Sequence, residues 1–196
     1  PGSPMYPIKQ TMEQARLSLI SDPVSQSYQH FALARKRTGE MRRLALKGKQ
    51  PDEPLMAQIQ YHLNQGLTLA AQVPEDELPG LLEPVRLMLH AETAAMEQFQ
   101  HQLGPPDQAP FQKANGMLHQ VGKAVDEGLA EPQEFRFFFA NGGELVPCED
   151  GDCGPFGGHQ YQHGPGANCD GEECAQLGNQ ERNQHQNQPD ADCEGE

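Results

Sequence analysis

Apolar residues recur every three or four positions through most of residues 7–129, a spacing that places them on one side of an α-helix. Proline or glycine interrupts the pattern at intervals, so the chain divides into five helical segments. These segments are residues 7–20, 23–47, 54–70, 75–103 and 110–129. Long amphipathic helices with short connections are typical of an up-and-down bundle, so we predict an all-α fold of about five helices.

Local signals support these segments. In the first one, a single face carries the apolar residues, namely Ile8, Met12, Ala15 and Leu19. Asp22 and Pro23 form an N-cap followed by proline at the first helical position, and Gly48 fits a C-cap. In the fourth segment, Pro79 and Pro84 predict a kink or a break in the early turns.

Charge divides the chain into two parts. Residues 1–140 hold 13 Lys and Arg against 16 Asp and Glu, whereas residues 141–196 hold one Arg against 12 acids. We therefore predict a helical bundle over residues 1–140 and an irregular Cys-, Gly- and acid-rich tail over residues 141–196. Such acidity disfavours nucleic acid and anionic membrane as partners, and it favours cations or a basic protein surface. No apolar run reaches the roughly 18 residues that a membrane-spanning helix needs.

Four phenylalanines fall within five residues at the end of the bundle: Phe135, Phe137, Phe138 and Phe139. One interpretation is that they complete the core of the bundle, since most apolar clusters are core. The other is that they form an interface for another subunit, since an apolar patch at a domain end is often covered by a partner.

The tail contains a nearly mirrored segment over residues 148–174. Cys148 mirrors Cys174, Cys153 mirrors Cys169, and His159 mirrors His163. The acids mirror in the same way, as Glu149 with Glu173, Asp150 with Glu172 and Asp152 with Asp170. A chain that doubles back on itself would bring each like pair together, and opposed acids repel one another. A bound cation would offset that repulsion, and oxygen ligands of this kind suit calcium.

All five cysteines lie in the tail, and Cys193 is the odd one beyond the mirrored segment. In an oxidising compartment they predict disulfides, either local (Cys148–Cys153 and Cys169–Cys174) or nested (Cys148–Cys174 and Cys153–Cys169). If reduced, the cysteines with His159 and His163 are candidate ligands for zinc or copper. A composition rich in Gly, Pro and acids is also typical of disordered segments.

Motifs of catalysis are missing from the sequence, which has no His-Glu-x-x-His, phosphate-binding loop or nucleophile elbow. Two Met-Leu-His triplets, at residues 88–90 and 117–119, could suggest a copper site. Residues two apart do not share a helix face, however, so Met88 and Met117 are better interpreted as core residues. We predict that the protein is not an enzyme.

The opening resembles an uncharacterised family of bacterial helical domains, through "YPIKQTMEQARLSLISDP" and "HFALARKRTGEMRRLA". The matching residues are Tyr6, Pro7, Lys9, Glu13, Arg16, Leu19, Ala34, Arg37 and Glu40. The resemblance covers about half of the chain and implies an extracytoplasmic module, seen also as the ectodomain of anti-sigma-factor-like membrane proteins. It implies no catalytic residue. The spacing itself predicts two ion pairs at i,i+3, Glu13 with Arg16 and Arg37 with Glu40.

These observations predict a non-catalytic, extracytoplasmic assembly protein, a subunit of a cell-surface or filamentous structure. Its expected partner is a second copy of the chain or another surface protein, and its tail would be disulfide-linked and bind a cation. Two alternatives stay open at this point: a sensor ectodomain of an anti-sigma-like membrane protein, and a periplasmic metal-binding protein.

Overall fold

The computed structural model describes residues 6–145, which form six α-helices and no β-strand. They are α1 (Tyr6–Ser18), α2 (Pro23–Ala45), α3 (Glu53–Ala70), α4 (Leu78–Gln100), α5 (Pro105–Ala130) and α6 (Pro132–Ala140). The all-helical prediction is confirmed for this part of the chain, but α6 makes one helix more than the five predicted. The fourth predicted segment is one helix, with Pro84 inside it.

Capping residues explain where several helices begin and end. The Asp22 carboxylate accepts a hydrogen bond from the Ser25 backbone N–H at 2.8 Å, which satisfies a donor in the first turn of α2. Asp52 does the same for the Leu55 N–H in α3, at 3.1 Å. After α2, Gly48 has a φ of +65°, the left-handed conformation that glycine adopts without strain. The predicted caps at Asp22 and Gly48 are therefore confirmed.

The core lies between two helix pairs, since α2 packs most extensively on α3 and α4 packs most extensively on α5. Its side chains include Phe31 and Ile59 from the first pair and Leu82 and Phe111 from the second, all buried. Burial of such apolar surface is the main stabilising contribution to the fold. The α2–α3 contact is close at Gly66, where an added Cβ would lie 2.8 Å from the Phe31 ring.

Helix α6 divides the four phenylalanines between the core and the surface. Phe135 and Phe139, one helical turn apart, are buried in the core with ring centroids 4.8 Å from each other. Phe138 is partly buried against the same core, whereas Phe137 is 62% exposed. Phe135 and Phe139 are therefore core residues, and they are not exposed for contact with a partner. Phe137 is the member of the group that a partner could cover.

Leu145, which follows α6, belongs to the core of the bundle. Leu145 is buried in the core, and its backbone N–H donates a hydrogen bond to the Asn64 side-chain oxygen on α3 at 3.3 Å. Leu145 therefore packs with the helices, and the predicted boundary at residue 140 stays a prediction. The rest of the predicted tail lies outside the described residues.

Candidate functional site

Charged side chains hold α1 against α2. Lys9 of α1 pairs with Glu40 of α2, and Glu13 of α1 pairs with both Arg37 and Lys36. Within α2, the Arg37 Nη1 group donates hydrogen bonds to both Glu40 carboxylate oxygens, at 3.0 and 3.1 Å. We call these five residues the ionic cluster. It links two helices whose charged residues lie more than 20 positions apart in the sequence.

Three members of the ionic cluster are largely withdrawn from water, whereas Lys9 and Lys36 are 40% and 45% exposed. The Arg37 side chain is 1% exposed, and those of Glu40 and Glu13 are 8% and 11% exposed. Burial raises the pKa of Glu13, but hydrogen bonds and positive charge from Lys36 and Arg37 outweigh it, so this pKa lies below its ordinary value. Burial likewise opposes the lowering of the Glu40 pKa, which Lys9 and Arg37 bring about. Both carboxylates therefore stay ionised at neutral pH and attract the guanidinium between them.

The pairing of Glu13 differs from the local prediction. Its ion-pair partners in the described structure are Arg37 and Lys36 on the neighbouring helix, rather than Arg16 one turn away. The other predicted pair, Arg37 with Glu40, is confirmed. A buried guanidinium that needs two carboxylates recruits Glu13, because leaving a buried charge without a partner is costly.

The apolar face of α1 points away from the bundle. Ile8 is 51% exposed, Met12 is 56% exposed and Leu19, just past the helix, is 84% exposed. Ala15, on the same face, is exposed as well. We call these four residues the outer face of α1. A helix on the surface of a globular protein normally turns such a face inward. Helix α1 instead contacts α2 through charged side chains and exposes its apolar residues.

A buried histidine pair lies beside the ionic cluster and was not foreseen from the sequence. The Nδ1 atoms of His30 on α2 and His62 on α3 are 3.1 Å apart, so one ring donates a hydrogen bond to the other. Burial lowers the pKa of His30. Burial, with the nearby charges of His30 and Arg37, lowers the pKa of His62 to about 4. Both rings are therefore neutral at pH 7, and the pair contributes a satisfied polar contact to the α2–α3 interface.

A second buried carboxylate ties α4 to α2. Glu92 accepts a hydrogen bond from the Thr38 hydroxyl at 2.5 Å and pairs with Arg42 at 2.8 Å and Arg35 at 3.6 Å. One buried carboxylate of α4 is thus shared by two arginines of α2. Together with the ionic cluster, it fixes α2 between α1 and α4.

The histidines and methionines of the Met-Leu-His triplets do not converge. Met117 is buried and Met88 packs partly buried against the core, in line with their interpretation as core residues. His119 is exposed, and its Nε2 lies 3.0 Å from a Glu97 carboxylate oxygen on α4. His90 is also exposed. Among residues 6–145, no group of three or more His, Cys, Asp and Glu is placed to hold a metal ion.

Every residue predicted to bind metal or form disulfides lies outside the described part of the chain. They are Cys148, Cys153, Cys169, Cys174, Cys193, His159, His163, Glu149, Asp150, Asp152, Asp170, Glu172 and Glu173. Calcium, zinc and copper binding thus stay predictions. None of the described helices is long and apolar enough to cross a membrane.

Residues 1–105 match the model of a protein family described as a domain of unknown function, DUF5667. That match covers more than half of the 196 residues. The chain belongs to DUF5667. The resemblance to an uncharacterised domain family is thereby confirmed. No curated protein and no solved structure matches the chain.

The DUF5667 part of the chain comprises α1 to α4. It therefore contains the ionic cluster, the histidine pair, Glu92 and the outer face of α1. Helices α5 and α6 and the acidic tail lie beyond it. The arrangement in which α1 is bound through charges and exposes its apolar side is thus located within the family's domain.

Proposed function

We propose that this DUF5667 protein is a non-catalytic assembly subunit that works outside the cytoplasm, in a cell-surface or filamentous structure. The observation that carries the proposal is the outer face of α1, which is apolar and exposed, while Lys9 and Glu13 of the same helix pair with α2. Water-exposed apolar faces of this kind are typical of surfaces that another molecule covers.

The partner best suited to the outer face is α1 of a second copy. Ile8, Met12, Ala15 and Leu19 follow one another at intervals of four, three and four residues, the spacing of a seam that packs on one other helix. The ionic cluster holds α1 on α2 through Lys9 and Glu13, which are not part of the outer face. Pairing of two outer faces would therefore leave these contacts intact. Two identical faces that cover each other give a two-fold symmetric dimer.

The outer face alone is small for a stable interface. Four side chains supply only part of the roughly 800 Å² per partner that a standard protein interface buries. Further contacts between copies are therefore needed, and exposed Phe137 and the acidic tail are candidates. In the tail, calcium held by the mirrored acids would relieve their repulsion, and disulfides would require an oxidising compartment.

Sedimentation velocity of the unreduced full chain, over a range of concentrations and with calcium or a chelator, tests this proposal. The wild type is expected to self-associate, and the variant Ile8→Gln, Met12→Gln, Leu19→Gln is expected to lose its dimer. A control, Leu87→Gln, also removes an exposed apolar side chain and is expected to retain the dimer. A wild type that stays monomeric at every concentration, with and without calcium, would overturn the proposal.

Intact mass before and after alkylation tests the compartment. Cysteines that resist alkylation in the unreduced chain would support a disulfide-linked tail and hence a location outside the cytoplasm. Ready alkylation of all five cysteines would contradict the disulfides and leave either a thiolate metal site or an unstructured tail.

A further inference from the structure

Positive charge is concentrated at the end of α2. Residues 35–49 hold seven of the 14 Lys and Arg of the chain and a single acid, Glu40. In a chain of net charge −14, this is a local reversal of sign. Such a concentration either neutralises carboxylates within the fold or attracts an anionic partner.

Each of the four basic residues within 35–42 has an ion-pair partner in the bundle. Lys36 and Arg37 pair with carboxylates of the ionic cluster. Arg35 and Arg42 pair with Glu92 on α4. The first half of the basic stretch is therefore accounted for by the fold.

The second half forms no such ion pair within residues 6–145. Arg43, Lys47 and Lys49 are exposed, and none of the ion pairs among residues 6–145 includes them. Leu46 lies between them in sequence and is 75% exposed. We call Arg43, Lys47 and Lys49 the basic patch.

Helix stabilisation accounts for only part of the basic patch. Arg43 lies in the last turn of α2, where a positive charge interacts favourably with the helix dipole. Lys47 and Lys49 lie beyond the end of the helix, in the turn around Gly48. Three exposed positive charges close together in sequence, with no ion pair among residues 6–145, fit an acidic peptide segment.

We infer that the basic patch binds the acidic run of a second copy, residues 190–196, which read DADCEGE. This run has four acids in seven residues and no basic residue, so its charge is complementary to the patch. It lies beyond the mirrored segment, so binding it does not compete with cation binding by the mirrored acids. Residues 146–189 precede the run, enough chain to extend up to about 150 Å, so a neighbouring copy is within reach.

This contact has a consequence for assembly, and it rests on the proposed function. The outer face of α1 pairs with itself and closes a dimer, whereas patch and run are different surfaces. When two dimers join through such a contact, each still has an unoccupied basic patch and an unoccupied acidic run. Further dimers can therefore add, and larger species form. Exposed ion pairs are individually weak and salt-sensitive, so the larger species should dissociate at high salt.

Sedimentation velocity of full-length charge variants tests the inference. The patch-reversed variant carries Arg43→Glu, Lys47→Glu and Lys49→Glu. The tail-reversed variant carries Asp190→Lys, Asp192→Lys, Glu194→Lys and Glu196→Lys. Each variant alone is expected to stop at the dimer, because like charges then face each other. A control with the same change of charge, Arg86→Glu, Lys113→Glu and Lys123→Glu, is expected to form the larger species as the wild type does.

Mixing the two variants decides between contact within and between copies. The negative patch of one variant matches the positive run of the other, so the mixture is expected to regain larger species that neither forms alone. A mixture that stays dimeric would overturn the inference and leave the dimer proposal intact. The inference would also be overturned, with the dimer proposal intact, if the patch-reversed variant formed species larger than the dimer. A wild type that forms dimers but no larger species would have the same meaning. A wild type that is monomeric throughout would instead refute the proposed function, and the inference with it.

Discussion

Replacing Arg37 with methionine should destabilise the protein more than any substitution at its exposed charges. Methionine fills much of the same space but carries no charge. The Glu13 and Glu40 carboxylates would then lie close together, about nine-tenths buried, without the guanidinium between them. Their pKa values, now held below the ordinary range by their partners, should rise.

The expected loss follows from burial. Removing one partner of a fully buried ion pair costs about 3–5 kcal/mol. Here Lys9 and Lys36 remain and are 40% and 45% exposed, so they keep part of the compensation. We therefore expect Arg37→Met to lower the free energy of unfolding by about 2–3 kcal/mol, out of the roughly 5–15 kcal/mol typical of a domain.

Urea denaturation followed by far-ultraviolet circular dichroism measures this loss. Lys36→Met removes an exposed ion-pair partner of Glu13 and should cost under about 1 kcal/mol. Adding Glu13→Gln and Glu40→Gln to Arg37→Met should restore much of the stability, because the stranded charges are then gone. A loss below about 1 kcal/mol for Arg37→Met, or a larger loss for Lys36→Met, would refute the reasoning.

Three further substitutions follow from the packing and the pKa values. Gly66→Ala forces a Cβ to 2.8 Å from the Phe31 ring, so it should lower the urea midpoint by an amount equivalent to about 1–3 kcal/mol; an unchanged midpoint would contradict the close contact. Phe139→Ala should cost about 3–5 kcal/mol and Phe137→Ala under about 0.5 kcal/mol, since one ring is buried and the other is 62% exposed. Folding lowers the His62 pKa from 6.5 to about 4, so the unfolded chain takes up a proton at a higher pH than the folded chain does. About 3 kcal/mol of folding stability should therefore be lost as the pH falls from 6.5 to about 4. Urea midpoints at pH 7 and pH 4.5 measure this loss, and the difference between the two midpoints should be smaller in His62→Leu. An equal difference in that variant would show that other groups cause the pH dependence.

The helices could be predicted from the sequence because their signals are local. The apolar stripes of α2 to α5 and the caps at Asp22 and Gly48 depend on residues within a few positions of one another. Helix α6 was missed because four phenylalanines in five residues hide the helical period. Phe135 and Phe139, four apart and following Pro132, are the signal that could have identified it.

The direction of α1 could not be predicted in the same way. Its apolar period indicates that a helix has two unlike faces, but not which face meets the bundle. That choice depends on Glu13 meeting Arg37, a contact 24 positions apart that no local pattern contains. His30 and His62 were missed for the same reason, since they lie 32 positions apart and each needs the other as its buried partner.

The central claim, that a second copy covers the outer face of α1, is tested most directly by hydrogen exchange measured at low and high protein concentration. If the claim is right, amides of Tyr6–Ser18 exchange more slowly as the concentration rises, while those of α3 are unchanged. If exchange in α1 is independent of concentration while larger species form, some other surface carries the assembly and the claim is wrong.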